Sequence, residues 1–441
     1  MRNILIIYYY YAQYPPRATI SDHLFSFQRY TPYRIFYLNL ALRRIPSHLL
    51  KVPFDLIIFH TTFLSVRAWA PLNFCQLTEG IKPLKQIDGV KIALPQDEFL
   101  NTDLLCDFIN EFDIRYIFSV MPHSEWKTIY QKIDHSKTKI FRVLTGYLDE
   151  RTVARINRLA ENKTRRTIDI SYRAWEGAPW LGRHGRLKGQ IATVFQENAP
   201  RKRLRTDIST EEENVLLGDD WYEFLLKSKY TLGVEGGASI LDRDGTIKEK
   251  TEAYLKDCPQ ASFEEVEANC FRGLDGSSRL IAISPRHLEA CATRTCQVLV
   301  EGEFNGILKP GIHYIQLKSD FSNLNEVLEI IKKDTLRAEI TEKAYRDIVC
   351  SKLYTYRKFV EFVLNHSFQN VKPHASSFWA FWVWKHTKLA DFLCWRIIQL
   401  RSLFPHSVIK KIPDPLRSVL RINHGAPRKS IATKYEMEDR G

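Results

Sequence analysis

Several signatures that would settle a function at once are missing from this 441-residue chain. The loop after its first apolar run, Tyr10-Tyr11-Ala12-Gln13-Tyr14-Pro15-Pro16, has none of the glycines of a dinucleotide fingerprint, and no P-loop is present. Nicotinamide-dependent dehydrogenases and P-loop kinases are thereby excluded. No G-x-S-x-G elbow supports a hydrolase. No window reaches the roughly 18 uninterrupted apolar residues of a spanning helix. The N-terminal run Met1 to Tyr8 lacks a small-residue cleavage site, which predicts no signal peptide. The eight cysteines form no CxxC pair and no His cluster has zinc-like spacing, so reduced thiols in a cytoplasmic protein are expected.

What is abundant is positive charge, a net +13 with 64 Lys and Arg against 51 Asp and Glu. Such a balance suits an anionic partner: nucleic acid, a phosphorylated ligand or a membrane surface. From Val371 to Gly441 there are 13 basic and 5 acidic residues, a net +8, leaving +5 for residues 1–370. A nucleic-acid enzyme would carry basic stripes through its body. The excess here belongs to an appendage, and nucleic acid is not expected as a partner.

The apolar pattern divides the body in two. Asn3–Tyr9, Tyr33–Leu38, Phe54–His60, Gly89–Leu94 and Ile114–Val120 are apolar, β-rich runs separated by helical segments, the pattern of a doubly wound α/β domain. A charged stretch, Arg151 to Arg166, leads to a second series: strands at Thr167–Ser171, Tyr230–Val234, Leu280–Ser284 and Cys296–Glu301, with helices near 188–197, 263–269 and 286–293. A helix at Leu324–Lys332 and a long amphipathic run from Leu336 to Asn365 close it. The expected domains are 1–165, 166–370 and a tail, 371–441.

The chemistry concentrates in the second half. Thr231 to Ser239 reads as a strand entering a glycine turn, where Glu235, Gly236 and Gly237 would let phosphates approach backbone amides. A helix starting near Pro285 would offer its N-terminal amides to an anion, with Arg286 on the first turn adding a guanidinium. Glu289, one turn on, could accept hydrogen bonds from a ribose diol. Asp242-Arg243-Asp244-Gly245 has the spelling of a metal-binding pair but reads as a turn.

The stretch Glu289 to Val300 resembles the C-terminal nucleotide-sugar signature of GT-B glycosyltransferases, in which a helix carries a Glu-Ala pair about seven residues before an apolar strand. The segments Asp169–Ala174, Trp180–Arg183, Trp221–Leu225, Leu232–Ser239, Ser262–Glu267 and Gly311–Ile315 are similar to a bacterial subfamily of this kind. The resemblance spans roughly residues 166–330. It implies a GT-B fold: two Rossmann-like doubly wound domains facing a cleft, here with a helical basic C-terminal tail. It also implies that Glu289 holds the donor ribose, and that Arg173, Arg183 and Lys188 stand where such enzymes bind diphosphate. Two departures are visible, Ile281 in place of a glutamate eight residues before Glu289 and Arg294 in place of a glycine after the helix; they leave the stereochemical outcome open.

A fold of this kind needs basic side chains and helix amides to stabilise a leaving diphosphate, with no metal or other cofactor. A base for the acceptor hydroxyl is expected at a cleft-facing strand end, from His60 or Asp97, with Glu98 behind. The expected function is glycosyl transfer from a nucleotide-sugar to a saccharide or lipid-linked acceptor in cell-envelope polysaccharide synthesis. A nucleotide-sugar epimerase or a phosphorylase of the same fold, or a non-catalytic binding subunit docked to a membrane, are the alternatives. In the tail, Phe378-Trp379-Ala380-Phe381-Trp382-Val383-Trp384 precedes Lys385, Lys388, Arg396, Arg401, Lys410, Lys411, Arg417 and Arg421. Aromatic rings followed by basic residues suit an anionic lipid interface. The expected site of action is cytoplasmic, peripheral on the inner face of the plasma membrane. The competing expectation for the tail is a helix that crosses back onto the first domain.

Overall fold

The computed structural model describes residues 1–402 apart from 13, 15, 162–164, 370 and 376. The basic residues Lys410, Lys411, Arg417 and Arg421 lie outside the described residues.

The first domain is built on a six-stranded parallel sheet: β1 (Asn3–Tyr8), β2 (Arg34–Asn39), β3 (Leu56–Phe59), β4 (Val90–Ala93), β5 (Tyr116–Ser119) and β6 (Lys139–Arg142), in the order β2-β1-β3-β4-β5-β6. All six residues of β1 are buried. Helices cover both faces of a parallel sheet, so a central strand must be apolar throughout rather than alternating. The second domain repeats the winding with β7 (Ile168–Arg173), β8 (Thr206–Ser209), β9 (Ser228–Gly233), β12 (Cys296–Val300) and β13 (Ile315–Leu317), in the order β13-β12-β9-β7-β8. In each sheet the first strand lies between the second and the third, so the chain reverses direction across the sheet there. That reversal opens a crevice at the strands' carboxyl ends.

Three expectations are corrected. The run Leu280–Ser284 does not join the main sheet. Its strand β11 (Leu280–Ala282) pairs antiparallel with β10 (Gly236–Ala238), so the expected glycine turn is itself a strand. Gly237 sits at φ +128°, and a Cβ there would stand 2.0 Å from the Leu280 carbonyl oxygen. Its glycine serves this close backbone approach. The charged link Arg151–Arg166 is mostly helix, Glu150–Glu161. The amphipathic run 336–365 is broken into the helices Asp334–Ala344 and Tyr356–Ser367 by a π-turn, Tyr345–Cys350. The last of these helices returns to the first domain and packs on the helix Ala18–Tyr30, with the rings of Tyr356 and Phe359 against His23.

The tail also crosses back. The helix Phe378–Ser402 lies along β2. Ala380, Val383, Thr387, Asp391, Cys394 and Ile398 form its buried stripe, at the spacing of three and four residues that puts them on one face. Trp384 donates to the Ile35 carbonyl at 3.0 Å, Trp395 stacks on Tyr10 at 5.4 Å, and the Tyr8 hydroxyl donates to Asp391 at 2.5 Å. No helix among the described residues is long and apolar enough to cross a membrane.

Candidate functional site

Between the domains, at the carboxyl ends of both sheets, lies a cleft of about 530 Å³. Its second-domain wall includes the start of the helix Pro285–Ala292. Pro285 at the first position suits a helix start, having no N–H to leave unpaired. Arg286 lines the cleft, its guanidinium donating to the Arg173 carbonyl and lying 5.4 Å from the Trp221 ring. Glu289 is buried on the same wall, and Trp221 Nε1 donates to its Oε2 at 2.8 Å. Burial pushes the Glu289 carboxyl up, while Trp221 and then Arg286 pull it back. Among the described residues the remaining oxygen, Oε1, has no hydrogen-bond partner. Lys188, on the helix Gly182–Asn198, also lines the cleft. Among the described residues no carboxylate lies within ion-pair distance of it. Burial and the neighbouring Arg286 lower its pKa, and Asp97 across the cleft raises it. It is a half-buried cation without a counter-ion.

Other residues expected to bind donor have different partners. Arg173 turns away into a cage: Nε donates to the Asn214 carbonyl, the Nη atoms to the Tyr172 and Asp207 carbonyls and, at 2.7 Å, to the Asp207 carboxylate. Arg173 still lines the cleft, and its backbone carbonyl accepts from Arg286. Arg183 is exposed outside the cleft and paired with Glu267 at 2.6 Å and Asp275 at 2.9 Å. Glu235 is buried and accepts from the Glu303 and Phe304 amides, fixing the loop that follows β12. Gly236 lines the cleft; Gly237 does not. Asp242 accepts from the Gly245, Ile247 and Lys248 amides and so closes the turn expected there. Among the described residues no group of three His, Cys, Asp or Glu could hold a metal.

On the first-domain wall, β3 ends at Phe59 and His60 caps the short helix that follows. His60 Nδ1 accepts from the Thr62 amide at 3.2 Å. The ring proton must then sit on Nε2, which donates to His23 Nδ1 at 2.8 Å. His60 therefore has no free nitrogen to take a proton. His23, which the sequence reading missed, also lines the cleft, and its Nε2–H has no partner among the described residues. Burial lowers its pKa to about 4, so the pair is neutral at physiological pH. Asp97 follows β4 at φ +53°, a conformation that Asp tolerates better than most residues. The wholly buried Arg67 holds this loop, donating to the Gln96 and Asp97 carbonyls, both at 3.0 Å. The Asp97 carboxyl lines the cleft, raised by burial and lowered by Arg67, Ser65 and Lys188. Glu98 points the other way, bonded to Ser119 at 2.5 Å and the Val120 amide at 3.0 Å, with its pKa raised to about 7 by burial.

Two Rossmann-like parallel domains enclosing one cleft make this a GT-B fold. The structure is similar to that of HepE of Anabaena in complex with UDP-glucose (10% identity, 83% of this chain and 100% of that one, TM-score 0.45). It is also similar to sucrose-phosphate synthase from Thermosynechococcus elongatus (10%, 82% and 97%, 0.44) and to α,α-trehalose 6-phosphate synthase from Burkholderia multivorans (10%, 85% and 99%, 0.42). No protein-family model and no curated protein matches the chain.

Proposed function

We propose that the cleft binds a nucleotide-sugar and transfers its glycosyl group to a saccharide or lipid-linked acceptor, as in cell-envelope polysaccharide synthesis. The observation that carries this reading is the gathering of Lys188, Arg286 and Glu289 on one wall of the cleft. An unpaired half-buried cation and a guanidinium at a helix start suit a diphosphate. A buried carboxylate with one free oxygen, one helical turn further, suits the hydroxyls of the attached ribose.

In this reading the acceptor hydroxyl oxygen forms the new bond to the anomeric carbon as the bond from that carbon to the diphosphate breaks. Lys188 and Arg286 take up the charge that develops on the leaving diphosphate, and they do so without reorganising. Their placement favours a metal-independent step with no further cofactor. The acceptor proton is assigned to Asp97, whose carboxyl faces the cleft, rather than to His60. His23 Nε2–H is assigned to hydrogen-bond a sugar hydroxyl. The eight free cysteines suit a cytoplasmic location.

A panel of nucleotide-sugars labelled in the sugar, incubated with saccharide and lipid-linked acceptors, tests the reading by product analysis. Appearance of label in a new glycosidic bond is expected. Donor turnover that only inverts a sugar centre, or requires inorganic phosphate, would replace transfer with epimerisation or phosphorolysis.

A further inference from the structure

The buried stripe of the helix Phe378–Ser402 accounts for only half of its circumference. The opposite face carries Phe378, Trp379 and Trp382 on its first turns and Leu389, Phe392, Leu393 and Leu400 further along, each between 47% and 76% exposed. Lys385, Lys388 and Arg396 are exposed among them. Asp391 is the helix's one acidic residue, and it lies on the buried stripe. At 100° per residue the apolar residues at 378, 382, 389, 393 and 400 fall in one narrow band, with Lys385 and Arg396 along its edge and Lys388 on its flank. Over 25 residues such a face runs for roughly 37 Å. A long apolar band edged by cations and without a carboxylate is more than an ordinary solvated helix surface.

We propose that this face lays the protein on an anionic phospholipid bilayer, with the helix parallel to the surface. Charge complementarity selects the occupant. The band offers apolar rings and aliphatic chains for the acyl boundary and only cations for the headgroups. The sequence that follows continues the same sign, with seven Lys and Arg against one Asp between Lys410 and Lys434. The inner stripe fixes the orientation. Trp384 is bonded at the start of β2, and Arg401 donates to the Tyr11 carbonyl at 2.9 Å, past the carboxyl end of β1. The helix thus runs along the strand direction and ends on the cleft side of the first domain. A bilayer on its outer face would lie beside the side from which an acceptor enters. This favours a lipid-linked acceptor over a free saccharide, a consequence that rests on the glycosyl-transfer reading; the membrane contact itself does not.

The test is co-sedimentation of the full chain with vesicles of phosphatidylglycerol and phosphatidylcholine, and with phosphatidylcholine alone, at low and high salt. The full chain is expected to partition onto the anionic vesicles and to lose affinity with salt. The double variant Trp382→Glu/Phe392→Glu is expected to bind at least about tenfold more weakly, with an unchanged thermal midpoint because both side chains point outward. Lys385→Glu/Arg396→Glu should lose the preference for anionic lipid. No binding of the full chain, or equal binding by the Trp382/Phe392 variant, would overturn the assignment; the second result would locate the contact in residues 403–441. A lipid-free dimer abolished by the same variant would overturn it in favour of a second copy. Donor binding measured on the same preparations separates failure of this proposal from failure of the functional reading.

Discussion

The indole nitrogen of Trp221 donates to Glu289 Oε2 at 2.8 Å, fixing one oxygen of a buried carboxylate and leaving the other without a partner among the described residues. A buried carboxylate with a single donor is under-satisfied, since each oxygen has room for two. That deficit is what a ribose diol would fill. Trp221→Phe keeps the ring and removes the donor. Hydrogen bonds to charged groups contribute about 1.5–3 kcal/mol, so donor affinity is expected to fall roughly tenfold or more in calorimetric titration. Unchanged affinity would show that the bond does not hold Glu289 for the ligand.

The contrast between Lys188 and Arg183 gives a second prediction. Lys188 faces the cleft without a counter-ion among the described residues, while Arg183 is paired with Glu267 and Asp275 outside it. Lys188→Met should weaken diphosphate-containing ligands by about tenfold to a hundredfold, with folding stability unchanged or raised, because an unpaired cation no longer has to be held out of water. Arg183→Met should leave affinity unaltered and cost about 1.5–3 kcal/mol of stability in denaturant unfolding, because its partner Asp275 is buried and loses a charge-assisted hydrogen bond.

Asp97→Asn separates binding from chemistry. Asn tolerates the left-handed backbone at this position, so the loop held by Arg67 stays in place. A general base contributes about 10²–10⁴ in rate. The expected result is a fall in kcat of that order with KM for the donor little changed. A variant with full kcat would remove Asp97 from the proton transfer.

How much of this was readable in the sequence depended on whether the cause was local. Strands β1 and β3 were legible because burial on both faces forces a continuous apolar run. Strands β6 (Lys-Ile-Phe-Arg) and β8 (Thr-Asp-Ile-Ser) lie at or near sheet edges, are nowhere fully buried, and carry no such run. In the site, Arg286 and Glu289 were readable because one helix carries both at known spacing. Arg173 and Arg183 looked equally suitable, yet the carboxylates that occupy them, Asp207, Glu267 and Asp275, come from other elements of the fold. His23 gave no local signal at all: its meaning comes from His60, which lies on a different element. The tail divided in the same way. Its composition announced aromatic and basic residues, but only the fold separates the stripe that packs on β2 from the band that faces outward.

The anchor of that tail should be sensitive to pH. Asp391 accepts from the Tyr8 hydroxyl in a buried setting, and burial lifts its pKa from 3.8 to about 6. The folded protein then keeps this proton at pH values where the unfolded chain has lost it. Stability from this group is full below about pH 3.8 and declines as pH rises through about 6. Asp391→Asn keeps an acceptor for Tyr8 and removes the titration. The stability of the variant relative to the native chain, from denaturant unfolding, is expected to rise by roughly 2 kcal/mol between pH 4 and pH 7, at about 1.4 kcal/mol per unit of pKa. A difference that does not vary with pH would place the charge elsewhere.

The central claim is that one wall of the cleft is built for a nucleotide-sugar, and calorimetric titration of a panel of UDP-, GDP- and ADP-sugars into the native chain and Glu289→Ala tests it most directly. At least one donor is expected to bind the native protein, with affinity reduced about tenfold or more in the variant while the thermal midpoint of the ligand-free protein is retained. Failure of every donor to bind the native chain, or equal affinity in the variant, would contradict the account.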